Sequence, residues 1–192
     1  IEDQYKFLIN LGSFSYFEII KTNFDLIIGF SGTVKSLYKK QKCILEEAFK
    51  IQKYTYIPSI YGNMSRRYDK PMLVAEDEKN YYAYIVTTIR EANDFKMPVL
   101  VFLKDISYLE KLKEELESQF KNQKIQTLKE TDTFEDIQKI VKSSTEPSAI
   151  TLFTKSFSRG TDFEIGKLVA NIGGCMAIQT FLHEDESELI QI

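Results

Sequence analysis

Ala149-Ile-Thr-Leu-Phe-Thr-Lys-Ser-Phe-Ser-Arg-Gly-Thr-Asp162 is the stretch whose reading decides the fold. An apolar run carrying Ile150, Leu152 and Phe153 has the composition of a buried strand. It feeds a polar segment that ends in Arg159-Gly160-Thr161-Asp162. Glycine permits a tight turn or a close approach to a ligand. Arginine matches phosphate with a planar fork of donors, and aspartate accepts from hydroxyl or amine groups. A strand that ends in a polar, glycine-bearing loop is where open α/β sheets place ligands. A plain surface turn, with Arg159 and Asp162 as a local ion pair, is the competing reading of the same residues.

Outward from this stretch the chain alternates strand-like and helix-like periods, which is the α/β signature. Val99 to Leu103 is apolar at every position and reads as a buried strand. Asp105 is positioned to cap the helix that follows, whose stripe is Ile106, Leu109, Leu112, Leu116 and Phe120. Upstream, Glu76-Asp-Glu78 opens a helix with Tyr82, Ile85, Val86 and Ile89 on its apolar face. Its acids suit the positive end of the helix dipole. Lys124 to Leu128 reads as a strand. Thr133 and Asp136 form a capping box ahead of Phe134, Ile137, Ile140 and Val141. Cys175 to Phe181 reads as a further strand. In the first third, Leu26-Ile-Ile28, Thr55-Tyr-Ile57 and Met72-Leu-Val-Ala75 are expected to be strands, and Val34 to Lys50 one helix with Ser31 or Thr33 as its cap. Such a βαβ series implies a mostly parallel sheet with helices on both faces.

The totals set bounds. A chain of 192 residues with 43% hydrophobic content holds one good core, or one domain and a piece of another. A net charge of −3 argues against a dedicated nucleic-acid or anionic-membrane binder. Cys43 and Cys175 are isolated and fit packing roles in a reducing compartment. No metal-ligand spacing is present, and no metal site is expected. The apolar runs fall far short of the roughly 20 residues that span a bilayer. The chain begins at Ile1 rather than methionine, which reads as a piece of a longer protein.

Thr154, Arg159, Gly160, Thr161 and Asp162 match the strand-then-Thr-Asn-Met-Ala-Gly-Arg-Gly-Thr-Asp element known as motif V of the SecA family of preprotein-translocating ATPase motors. Lys155, Phe157 and Ser158 depart from it. Three further blocks resemble the family in order. Gly29-Phe-Ser-Gly-Thr33 is similar to its Gly-Met-Thr-Gly-Thr element, preceded by the aromatic Ser13-Phe-Ser-Tyr-Phe17. Met97-Pro-Val-Leu-Val-Phe102 is similar to its Gln-Pro-Val-Leu-Val-Gly strand. Gly173-Gly174, Thr180, His183-Glu184 and Gln191 follow its Gly-Gly…Thr…His-Glu…Gln run.

The resemblance implies a RecA-like P-loop NTPase lobe, the second of two that close on ATP. It assigns residues 1–33 to the end of the preceding motor lobe or a linking segment. Residues 34–192 become the second, helicase C-terminal-like lobe, truncated before the arginine-finger motif that Gln191 begins. It implies a catalytic role for Arg159 near the phosphates and nucleotide contacts for Gly160, Thr161, Asp162, Gly32, Thr33 and Gln191. Implied ligands are ATP or ADP with Mg in the full-length protein, with none held tightly by this piece. Implied partners are the first lobe and a polypeptide substrate, at a cytoplasmic or peripheral-membrane location. The Gly-x-x-x-x-Gly-Lys-Ser/Thr phosphate loop is absent from the sequence, so the chain alone is expected not to hydrolyse ATP, whereas its parent is expected to be an ATPase. Where the family has His-Glu-Ser-Arg-Arg, this chain has His183-Glu-Asp-Glu-Ser187, an acidic departure. His183 reads as structural. Two alternatives stay open. Tyr54, Tyr56, Tyr61 and Tyr68 around Arg66-Arg67 would suit a helicase lobe stacking single-stranded nucleic acid. The acidic run would suit a non-catalytic interaction module derived from a motor.

Overall fold

The computed structural model describes residues 12–58, 60, 72–121 and 123–182. It divides into two compact units between Met64 and Ser65. The second unit carries the sheet. Its strands are β1 (Val99–Leu103), β2 (Ile125–Leu128), β3 (Ile150–Thr154) and β4 (Met176–Gln179), all parallel, in the order β2-β3-β1-β4. Strand β1 sits between β3 and β4, with Val101 opposite Leu152 on one side and Ile178 on the other. Strands enclosed on both faces need no polar alternation. Accordingly β1 and β3 are buried at all five positions each.

Successive side chains of a strand point to opposite faces, so each strand feeds two cores. On one face Val99, Val101, Leu103, Ile150 and Leu152 pack with Ile85, Val86 and Ile89 of helix α3 (Glu78–Asp94) and with Leu109, Leu112 and Leu116 of helix α4 (Ile106–Gln119). Each fully buried leucine of that stripe contributes roughly 1.5–3 kcal/mol of transfer free energy. On the other face Leu100, Phe102, Leu128 and Phe153 pack with Ile137, Ile140 and Val141 of helix α5 (Phe134–Ser143) and with Phe157, Phe163 and Phe181. The chain moves one way along the sheet through α4 and returns through α5. Right-handed crossovers in opposite directions must lie on opposite faces. The α/β expectation, a parallel sheet with helices on both faces, is what the chain adopts.

Capping fixes where the helices begin. Asp77 accepts from the Asn80 N–H at 2.7 Å. Asp105 accepts from the N–H groups of Ser107 and Tyr108 at 2.9 and 3.3 Å. Thr133 accepts from the Asp136 N–H at 3.3 Å, but its hydroxyl also donates to the Asp136 carboxylate at 2.6 Å, so the expected box is only half made. Gly173 and Gly174 end the short helix α6 (Lys167–Asn171) with φ of 115° and 95°. Their N–H groups reach Ala170 O (3.3 Å) and Val169 O (2.9 Å), the paired bonds of a Schellman stop. At edge strand β2, the buried Gln126 accepts from the Ser143 hydroxyl at 2.7 Å, which satisfies its carbonyl.

The first unit departs from expectation. Leu26–Ile28 and Thr55–Ile57 take no regular secondary structure, and neither joins a ladder. The same is true of residues 72–75 in the second unit. Leu26 and Ile28 are 75% and 72% exposed. Apolar β-type residues mark where a strand can form, but a ladder needs a neighbour, and none stands beside them among the described residues. The expected helix from Val34 to Lys50 is broken into a 3-10 turn (Val34–Ser36), helix α2 (Lys39–Cys43) and a π-helical turn (Ile44–Ala48). Leu37 and Tyr38 take extended ψ angles of 135° and 155° and interrupt it. The Gln41 side chain then accepts from the Tyr38 N–H at 2.9 Å to restart the helix. Neither expected cap serves the turn at Val34. Ser31 Oγ instead accepts from the Thr33 N–H at 3.2 Å, and Thr33 makes no side-chain cap bond. Helix α1 (Tyr16–Asn23) is capped by Ser15.

Candidate functional site

All four strands are parallel, so all four chain exits lie at one edge of the sheet. That carboxyl edge collects Lys104-Asp105 after β1, Lys129-Glu130 after β2, Lys155–Asp162 after β3, and Thr180-Phe181 after β4. Ligands of open α/β sheets bind outside this edge.

The segment after β3 is built in layers. Thr154 is buried at the strand end. Lys155–Ser158 forms a 3-10 turn, closed by the Ser158 hydroxyl donating to Lys155 O at 2.7 Å. Phe157 leans on Phe153 (6.3 Å between ring centroids) and anchors the turn to the core. Arg159 and Gly160 then stand exposed at the edge, and Gly160 adopts φ of 74°. A Cβ there would meet nothing within 4 Å. The glycine is therefore demanded by backbone conformation and not by a crowded surface. Past Gly160 the chain runs down the α5 face. Phe163 packs edge-on against Phe153 at 5.4 Å, and Glu164 O accepts from the Thr145 hydroxyl at 2.8 Å near the opposite edge.

Neighbouring exits hold this turn from both sides. Ser156 Oγ donates to Glu130. Burial pushes the Glu130 carboxyl up, but the bonds from Ser156 and from its own backbone N–H outweigh it and leave the group below the usual range. The Thr154 hydroxyl makes no hydrogen bond of ordinary geometry, and it lends Glu130 only a weaker polarisation. On the other side Lys155 Nζ sits over the Phe181 ring, 5.6 Å from its centroid. Thr180 donates to Phe102 O through both its N–H (3.1 Å) and its hydroxyl (2.9 Å), which ties the end of β4 to β1. Burial raises the Tyr81 phenol, and the nearby Thr180 hydroxyl offsets this only in part. Burial likewise pushes the half-buried Cys175 thiol to about 11, so it stays protonated as a packing residue.

The structure gathers Arg159, Gly160, Thr161 and Asp162 on one continuous loop beginning at the carboxyl edge. Gly32 and the buried Thr33 lie in the first unit, on a turn of their own. His183, Gln191 and the acidic run 184–188 lie outside the described residues, as do Arg66, Arg67, Tyr61 and Tyr68. Tyr54 and Tyr56 are exposed, the latter beneath Lys35 Nζ at 4.2 Å. Glu130, Ser156 and Phe181 were not singled out in the sequence, whereas Thr180 was, as part of the run from Gly173 to Gln191. The signal available for the first three was only that each falls within two residues of a strand end or, for Ser156, beside the motif loop. Among the described residues no group of three His, Cys, Asp or Glu could hold a metal ion.

The family model described as the SecA P-loop domain matches residues 64–188, more than half of the chain. The chain belongs to the SecA family. Among its SecA relatives, the protein translocase subunit SecA of Syntrophobacter fumaroxidans is 28% identical over 191 residues, covering 96% of this chain and 20% of that protein. The subunit of the same name from Caldicellulosiruptor saccharolyticus is 29% identical over 187 residues, again 96% and 20%. That of Syntrophus aciditrophicus is 29% identical over 118 residues, or 62% and 14%. This SecA-family chain thus spans about a fifth of the length of the curated relatives that it matches along most of its own length.

Proposed function

We propose that this chain is the second nucleotide-binding lobe of a SecA-like motor that works in protein translocation. It contributes Arg159 to an ATP site shared with a first RecA-like lobe and does not hydrolyse ATP alone. One observation carries the reading. The Arg159 loop leaves the carboxyl end of β3, next to the central strand of an all-parallel sheet, where phosphate ligands of such folds lie. A guanidinium brought to developing phosphate charge only when a cleft closes couples closure to chemistry. In this role Gly160 shapes the turn, and Thr161 and Asp162 offer a hydroxyl and a carboxylate to the nucleotide or to the opposing lobe. Gly32, Thr33 and Gln191 are assigned further nucleotide contacts in this reading.

The residues present fit half of an ATP–Mg site. An exposed cationic turn suits phosphate oxygens, whereas the described residues offer no acid cluster for Mg coordination. The metal-holding acids and the phosphate loop belong, in this reading, to the first lobe. Residues 1–33 continue that lobe or link to it, and residues 34–192 form the second. Phe24, Leu26, Ile28 and Phe30 support the first half of this assignment, because large apolar residues at alternate positions stand exposed, as in a strand without its sheet. The relatives' name, protein translocase subunit, points to a polypeptide substrate and a cytoplasmic or peripheral-membrane setting. Among the described residues no helix is long and apolar enough to cross a membrane. Nucleic acid is not a partner in this reading.

The test is nucleotide turnover. The chain alone is expected to show none above background. Joined in one polypeptide to a phosphate-loop lobe and an arginine-finger segment from a SecA relative, it is expected to turn over ATP. Arg159→Ala should then lower the rate by about 10³-fold, the lower end of arginine-finger effects. Turnover by the chain alone, or a joined protein indifferent to Arg159→Ala, overturns the proposal.

A further inference from the structure

Lys155 occupies a position where the SecA motif carries asparagine, so it puts a charge where the motif has none. The ammonium lies 5.6 Å from the Phe181 centroid, inside the range of about 6 Å in which a ring quadrupole holds a cation. Since β1 separates β3 from β4 in the sheet, this contact reaches across the carboxyl end of β1. Lys111, Lys113 and Lys129 each face a carboxylate. Lys155 has no ion pair among the described residues. A ring restrains a cation without cancelling its charge, and Lys155 is exposed. The preceding residue, Thr154, is 1% exposed, and its hydroxyl makes no hydrogen bond of ordinary geometry and polarises Glu130 only weakly. An exposed ammonium without an ion pair among the described residues, next to an under-used hydroxyl, gives this strand end donors for an anion.

We infer that Lys155 is a second anion-contacting residue of this edge, held by the Phe181 ring and presented with Arg159 to the oxygens of a polyphosphate. The inference rests on the nucleotide-lobe reading and adds to it a contact that the SecA motif lacks. Phe181 acts as a positioning residue, because it touches Lys155 and not the ligand. The Ser156–Glu130 bond holds the same turn from the β2 side, so both cations are placed before the ligand arrives.

The probe is inorganic tripolyphosphate, titrated into the 192-residue chain at low ionic strength, with backbone amide NMR shifts as the readout. A saturable shift centred on residues 154–162 is expected, weakening as salt is added. Lys155→Ala should weaken binding about 5-fold, the size of an exposed charge contact. Lys155→Arg should restore most of it, and Phe181→Leu should lose part of it. Absence of a saturable shift, or equal affinity for Lys155→Ala and the parent chain, overturns the inference. The two failures are separable. Turnover by the joined two-lobe protein that needs Arg159 but ignores Lys155 sinks this inference and leaves the nucleotide-lobe reading standing. Binding through Lys155 in a protein indifferent to Arg159→Ala does the reverse.

Discussion

Gly160 and Asp105 show how single residues set the local geometry of the carboxyl edge. At Gly160 the φ of 74° is costly for any residue with a Cβ, although nothing nearby would touch one. Gly160→Ala should therefore destabilise the chain by about 1 kcal/mol through backbone strain alone, read as a lower midpoint in urea unfolding with an unchanged slope. At Asp105 the Ser107 hydroxyl, followed by the Tyr108 N–H, holds the carboxyl below the usual aspartate range. A depressed folded-state value stabilises above the ordinary aspartate range, and that contribution is lost as the pH falls through the lowered value. Asp105→Asn should thus melt below the parent chain at neutral pH, with the gap closing below about pH 4. Thermal scans across that range check both the sign and the window. Asp105 was legible in the sequence because its cap position follows directly from the helical stripe after it. Glu130 was not, because its place beside Ser156 depends on β2 and β3 being neighbours, which no local pattern states.

Among the elements, β1 and α4 were fully readable. A five-residue apolar run and a leucine stripe at helical spacing have one burial solution each. Leu112→Ala should cost roughly 2–5 kcal/mol because a fully buried side chain leaves a cavity beneath the sheet. Lys113→Ala on the same helix should fall within about 0.5 kcal/mol. Calorimetric or urea unfolding of the pair distinguishes a stripe that packs from a helix held by propensity alone. The first-unit segments were misread for a reason that belongs to this scale. Leu26–Ile28 and Thr55–Ile57 have strand composition, but a strand is stabilised by its neighbour, and no described neighbour is present. Leu26→Ser is expected to change unfolding by no more than about 0.5 kcal/mol and to raise solubility, measured as the concentration at which light scattering begins. The broken helix after Thr33 is a similar case. Its apolar spacing was helical, but the backbone at Leu37 and Tyr38 turned extended and Gln41 capped a new start.

At the level of the whole molecule, both hydrophobic clusters and every strand among the described residues lie within the second unit. A chain of residues 65–192 should keep the far-ultraviolet circular dichroism of the sheet and its helices and unfold in one cooperative transition. A broad, non-cooperative melt would show instead that the first unit is needed to hold the sheet together.

The sequence by itself determined the α/β class, the buried strands β1 and β3, the N-cap residues of α4 and α5, and the loop that carries Arg159-Gly160-Thr161-Asp162. Periodicity, capping chemistry and glycine placement are local properties that a linear chain can state. Tertiary structure alone decided which strand ends became neighbours. The order β2-β3-β1-β4 put Glu130 against Ser156 and carried Lys155 across β1 to Phe181. Contacts between residues that are distant in sequence arise from strand order and crossover hand, and those are fixed only when the apolar faces of the whole unit are buried together.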